Sequence, residues 1–196
     1  RRFEVIGVGV KVGDAPATWF SGTKDEIRNH LLTYTWDVNA LLCHNTLFDG
    51  CILSWHFGIT PMLMLDTLCM ARALHGVEAG GSLASLALRY GIGEKGNEVV
   101  AAEGKRRQDF TDEELATYGD YCINDVELTY KLFGIMGKKF PRQELRIIDL
   151  TLRMFIEPML DLDLGLLEQH LEDTKDIKDK LLLDAGVDKK DLMSNP

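Results

Sequence analysis

Two acids, Asp49 and Asp125, draw attention through the residues around them. In HNTLFDG (44–50), Asp49 follows Asn45 by four positions and Phe48 by one, directly after a short apolar run. It therefore falls at the mouth between a buried strand and a helix. There the free N–H groups and the helix dipole favour a charged carboxylate by about 0.3–1 kcal/mol. Taken alone, Asp49 needs no explanation beyond starting a helix. In YCIND (121–125), Tyr121 and Asp125 lie four apart on one helix face. The inward stripe of Val126, Thr129, Leu132 and Phe133 runs on a neighbouring arc, which puts Asp125 at the rim of the buried side. An ionised carboxylate there needs compensation, and a bound divalent cation supplies it. A solvated helix face with a core tyrosine is the plainer reading of the same pair.

The elements that must position these groups follow from periodicity. FEVIGVGVKV (3–12) alternates as a strand, GDAP turns, and ATWF returns as the second arm of a hairpin. Residues 24–34 suit a helix with Ile27, Leu31 and Leu32 inward. VNALLCH (38–44) and MLML (62–65) are short continuous apolar runs of the kind found in buried parallel strands. Asn45 or Thr46 caps a helix carrying Phe48, Ile52, Leu53 and Trp55, and Asp66 or Thr67 opens the next helix, to about Leu74. Ser82 starts SLASLALRYG, which Gly91 ends. Residues 92–109 read as a loop with a basic triplet, Lys105 to Arg107. Thr111 and Glu114 form a capping box for a helix to about Met136. Pro141 opens a helix striped by Leu145, Ile148, Leu152 and Phe155, and Pro158 stops it. MLDLDL (159–164) alternates like a strand, and 165–185 is an amphipathic helix ending at Gly186. The order describes an α/β domain with a mixed sheet, followed by an α-rich extension.

Asn45-Thr46-Leu47-Phe48-Asp49 resembles the second motif of the 3′–5′ exonucleases that use four acidic metal ligands, and Tyr121 to Asp125 resembles the tyrosine version of their third motif. Order, spacing and element type agree across both. The segments LDTLCMARAL and SLASLALRYGI resemble connecting helices of the proofreading domain of family-A (Pol I-type) DNA polymerases. Residues 141–171 resemble the link from that domain into the polymerase body, most closely in phage enzymes. The resemblance implies an RNase H-like exonuclease domain over 1–140 and a helical link with the start of a polymerase domain over 141–196. It further implies Asp49 and Asp125 as ligands of Mg²⁺ or Mn²⁺, Tyr121 as the residue orienting the attacking water, and Asn45 and Phe48 as contacts to terminal nucleotides. Arg106 and Arg107 would touch DNA backbone. The implied partners are a single-stranded DNA 3′ end and the rest of a polymerase chain, in the cytoplasm of a bacterium or phage-infected host. Two metal ions clamping a phosphate call for hard oxygen ligands, hence Asp rather than His or Cys. Ribonucleases of the RNase D type share the tyrosine version of the motif. A decayed exonuclease fold kept as a structural module is the non-enzymatic alternative.

Bulk properties are compatible. At 196 residues and net charge −9, the chain is no binder of nucleic acid by bulk charge, but acids that hold metal add to that count. No apolar run approaches the roughly 18 residues of a membrane span. Cys43, Cys51, Cys69 and Cys122 fit neither a zinc site nor a disulfide framework, and read as buried thiols. The family's first motif, Asp-x-Glu on a first strand, is absent: Glu4 lies on what should be the second strand, and Asp161 and Asp163 belong to the link. The chain also opens in a strand without Met and stops at DLMSNP, so an excerpt of a longer polypeptide is expected, weak or inactive as a nuclease by itself. Loss of the central strand would leave 3–12 with an unpaired edge.

Overall fold

A computed structural model describes residues 3–96, 104–157, 160–188 and 190. Pro158, Met159, the closing DLMSNP and positions 97–103 of the predicted 92–109 loop lie outside them. The chain divides into two compact units, Arg1–Pro158 and Met159–Pro196.

The first unit is mixed α/β. Strand β1 (Gly7–Val10) pairs antiparallel with β2 (Thr18–Ser21), Val8 opposite Phe20. The ladder is shorter than the alternation over 3–12 predicts, because β2 offers partners to four residues only. Strand β3 (Ala40–Cys43) pairs parallel with β4 (Leu63–Asp66), Cys43 opposite Asp66. The expected single mixed sheet is thus two separate two-stranded sheets, with β1 and β3 unbonded to each other.

Helix α1 (Lys24–Leu31) starts on a Thr23–Glu26 capping box and buries Ile27 and Leu31. Leu32 falls at its C-cap and turns outward, contrary to expectation. After β3 comes α2 (Thr46–Cys51), which widens into a π-helical turn over Ile52–His56. Leu53 of that turn is buried, whereas Trp55 is exposed and donates its indole N–H to the Ile156 carbonyl at 3.0 Å. Helices α3 (Thr67–His75), α4 (Leu83–Tyr90) and α5 (Asp112–Met136) enclose a core of Met70, Leu86, Leu128 and Leu132. Ser82 caps α4, and Gly91, at φ 61°, ends it in the left-handed conformation that glycine adopts without strain. The predicted Thr111–Glu114 capping box opens α5.

Pro141 is the N-cap of α6 (Arg142–Ile156) rather than a first-turn residue. That helix clasps β4: the Met64 N–H donates to Asp149 at 2.8 Å, and Arg153 donates to the Pro61 carbonyl at 2.8 Å. Its inward stripe ends on Ile156, packed with Met64 and Leu152, and the predicted Phe155 faces out. A one-position rotation lets the branched side chain fill the space beside Gly50, where a Cβ would meet the Ile156 Cδ1 at 2.4 Å.

In the second unit, residues 160–163 form no strand. Asp163 instead caps α7 (Leu164–Ala185), its carboxylate accepting from Leu166 N–H at 3.0 Å, and Gly186 ends the helix at φ 65°. All four cysteines are free and partly rather than fully buried. Among the described residues no helix is long and apolar enough to cross a membrane.

Candidate active site

Strands β3 and β4 run side by side and deliver their C-terminal ends, Cys43 and Asp66, to one place. Asn45 then turns the chain into α2 at φ 71° and ψ 53°, and among the described residues no other non-glycine has positive φ. Asparagine tolerates this region better than most residues. Its side chain makes no capping bond, so neither expected cap operates. The cap comes from a different strand. The Asp66 carboxylate accepts from Asn45 N–H at 3.1 Å and Thr46 N–H at 3.0 Å. It also starts its own helix, accepting from Leu68 N–H at 2.7 Å and Cys69 N–H at 3.4 Å. Asp66 is 1% exposed, and its two oxygens hold two helix starts together.

This arrangement changes the electrostatics expected at Asp49. Burial pushes its carboxyl up to about 6, partly offset by hydrogen bonds from its own backbone and from the Cys43 thiol. The negative charge of Asp66 adds to the rise. Desolvation therefore outweighs the helix-start effect on which the sequence reading relied.

Asp125 comes from the middle of α5 and pairs with the Lys95 ammonium at 2.6 Å. Its side chain is 25% exposed, yet the Oδ1 atom is buried without a hydrogen-bond partner. Lys95 also lies 5.2 Å from the centre of the Tyr121 ring, which stacks on Tyr118 at 6.2 Å. Burial raises the Tyr121 hydroxyl above its ordinary range, with Lys95 drawing it partly back.

The two acids wall one cavity of about 790 Å³, joined there by Cys43, Phe48, Lys95 and Cys122. Their proximity registers at Cys122, whose thiol is pushed up to about 12 by burial first, then by Asp125, with Asp49 contributing. Phe48 is 56% exposed and meets Phe3 edge-on at 6.5 Å. Tyr121 is buried behind this wall and does not line the cavity, nor does Asn45. Arg106 and Arg107 do not line it and are engaged by protein: Arg106 approaches Glu4, a wall residue, at 3.8 Å, and Arg107 donates to the Ser21 hydroxyl at 3.0 Å.

Lys95 is the residue that sequence reasoning missed. It sits in the loop where only the triplet of Lys105 to Arg107 draws the eye, and no periodicity ties it to an acid 30 positions away. Asp66 as a double cap was missed as well, though its place at a strand-to-helix junction is visible in the sequence. Among the described residues no group of three or more His, Cys, Asp or Glu side chains is arranged to hold a metal ion. Comparison with protein-family models, curated proteins and solved structures finds no match.

Proposed function

We propose that this chain carries the metal-dependent site of a 3′–5′ exonuclease of the proofreading type, within an RNase H-like fold, acting on single-stranded DNA 3′ ends. The observation that carries the reading is the pair of carboxylates, 76 positions apart in the chain, on the wall of one cavity, one of them with a buried oxygen lacking a partner.

The donor set suits a hard divalent cation in kind: two carboxylates, with the unpartnered Asp125 Oδ1 available. Mg²⁺ is commonly held by one or two carboxylates, with water and substrate phosphate oxygens completing the shell. Asp49 and Asp125 would hold Mg²⁺ or Mn²⁺. When bound, the ion supplies Lewis-acid polarisation of a phosphate and a more acidic water.

The remaining roles fall to the chain's own side chains. Cation binding needs Asp49 ionised, so its carboxyl must lose a proton that burial retains up to about pH 6. Lys95, now the partner of Asp125, faces the cavity as a positive group able to meet a phosphate oxygen. Tyr121 keeps its proton at neutral pH and acts by position, steadying Lys95 and Asp125 from behind the wall. The exposed Phe48 ring offers a face on which a frayed terminal base can stack, a contact worth about 1–3 kcal/mol.

A 5′-labelled single-stranded oligonucleotide incubated with the full chain and Mn²⁺ tests the reading. Slow shortening from the 3′ end, lost with EDTA and in both Asp49→Asn and Asp125→Asn, is expected. Shortening that survives both substitutions, or that proceeds unchanged in EDTA, would overturn it.

A further inference from the structure

Lys95 reaches Asp125 from a loop whose backbone is fixed against α5. Ile92 packs on the core that α3, α4 and α5 enclose. At Gly93, φ 143°, a Cβ would lie 3.0 Å from Leu128. The next carbonyl, Glu94, accepts from the Asn124 side-chain amide at 2.9 Å. These contacts step back along the helix, from Leu128 through Asn124 to the pair of Asp125 and Tyr121 that receives Lys95. What remains able to move is the Lys95 side chain, a flexible four-carbon stem whose ammonium lies on the cavity wall.

That ammonium and a divalent cation seek the same charge. Asp125 Oδ2 holds Lys95 at 2.6 Å, while Oδ1 is buried and unpartnered. A cation on this carboxylate meets the ammonium as a like charge in a partly buried place, where salt screens it little. The other charged wall residues are committed elsewhere. Lys11 donates to Glu127 at 2.9 Å and to the Ala15 carbonyl at 2.7 Å, and Glu4 faces Arg106. Lys95 is 27% exposed and has three donors, of which Asp125 takes one, so it can turn to a group that enters the cavity.

Formal charge says what that group is. With both carboxylates ionised, Asp49, Asp125 and Lys95 carry one net negative charge among them. A divalent cation reverses the sign, and uncompensated charge is costly away from water. A phosphodiester, singly negative, restores neutrality and gives the ammonium a charge-assisted bond in place of the one it leaves.

We propose that Lys95 is a tethered competitor for the cation position at Asp125, and that a phosphodiester of the strand end draws it off, so that cation and strand bind cooperatively. The inference rests on the nuclease reading and adds how its two ligands are coupled. The strand alone meets net negative charge, and the cation alone meets Lys95. Each removes the obstacle to the other, by the same factor whichever binds first.

Calorimetric titration with Mn²⁺ at pH 7.5 tests this on the full chain and on Lys95→Met, Lys95→Gln and Lys105→Met. The last removes the same charge from an ion pair with Glu114 that does not line the cavity. Without nucleotide, both Lys95 variants should bind Mn²⁺ about fivefold more tightly than the unsubstituted chain, and Lys105→Met within about twofold of it. The strand probe is a thymidine dinucleotide with a phosphorothioate link, singly negative and slow to hydrolyse; the control carries a neutral methylphosphonate link. The probe should tighten Mn²⁺ binding about fivefold more in the unsubstituted chain than in the Lys95 variants, and the control should show no such difference. Mn²⁺ affinity unchanged or weaker in both Lys95 variants would overturn the proposal and leave the nuclease reading standing. So would equal tightening in Lys105→Met, or a probe effect equal in all chains. No Mn²⁺ binding by any of the four chains would overturn both.

Discussion

Asp66 and Asp49 stand at the starts of adjacent helices, at the end of the same parallel strand pair, and are treated in opposite ways. Asp66 is almost wholly buried, and four backbone N–H groups use its two oxygens. Asp49 is partly buried with far less compensation, and its carboxyl is pushed up to about 6. Asp125, across the cavity, has one oxygen paired with Lys95 and the other unpartnered. A carboxylate whose oxygens are all occupied by the fold is holding the fold. One kept short of partners beside a cavity is available to something that enters.

The largest effect should come from the satisfied acid. Asp66→Ala removes the cap of two helices and leaves buried N–H groups without acceptors, at about 1–3 kcal/mol for each group that cannot reach water. Urea unfolding should show a loss of about 4 kcal/mol, near the upper end for single substitutions. A loss below about 1 kcal/mol would erase the contrast with Asp49.

Asp49→Asn should act in the opposite direction. Because the folded-state pKa is raised above the unfolded value, the unfolded chain ionises first as pH climbs from about 4, and the cost to the folded state is complete above about 6. At pH 8 the substitution should therefore stabilise by about 1–3 kcal/mol, with the gain gone by pH 4. Thermal melts of both proteins across that range check the sign. Stability gained at the expense of a site is the expected trade.

Lys95→Met should cost about 1 kcal/mol, as befits a partly exposed ion pair whose loss strands a carboxylate. Added Mn²⁺ should recover that loss if the cation takes over as the compensating charge. Melting with and without Mn²⁺ reads this directly. Arg107→Ala should have the smallest effect, within about 0.5 kcal/mol, because it removes a single bond to the Ser21 hydroxyl. If Arg107 does reach a phosphate, the salt dependence of oligonucleotide binding should become shallower by about one unit in the log–log slope.

Local signals in the sequence carried most of the element types. The capping box at Thr111, the Ser82 and Gly91 boundaries and the continuous apolar runs of β3 and β4 depend on neighbours a few residues away, and they stand where they were expected. What depended on distant partners was not legible. The 3–12 alternation could not reveal that β1 would pair over only four residues, because that length is set by β2. The 159–164 alternation could not reveal that Asp163 would serve as a cap. Phe155 and Ile156 differ by one position on a helix, and only the space beside Gly50 decides which of them is buried. At the candidate site, the two acids could be picked out by the residues near them. Their shared cavity, the Lys95 pairing and the capture of the α2 start by Asp66 are products of folding.

Calorimetric titration of the full chain with Mn²⁺ at pH 7.5 tests the central claim most directly. The account predicts saturable binding that is lost in Asp49→Asn and in Asp125→Asn, with both variants still folded by circular dichroism. No binding to the unsubstituted chain, or an affinity unchanged in both variants, would contradict it.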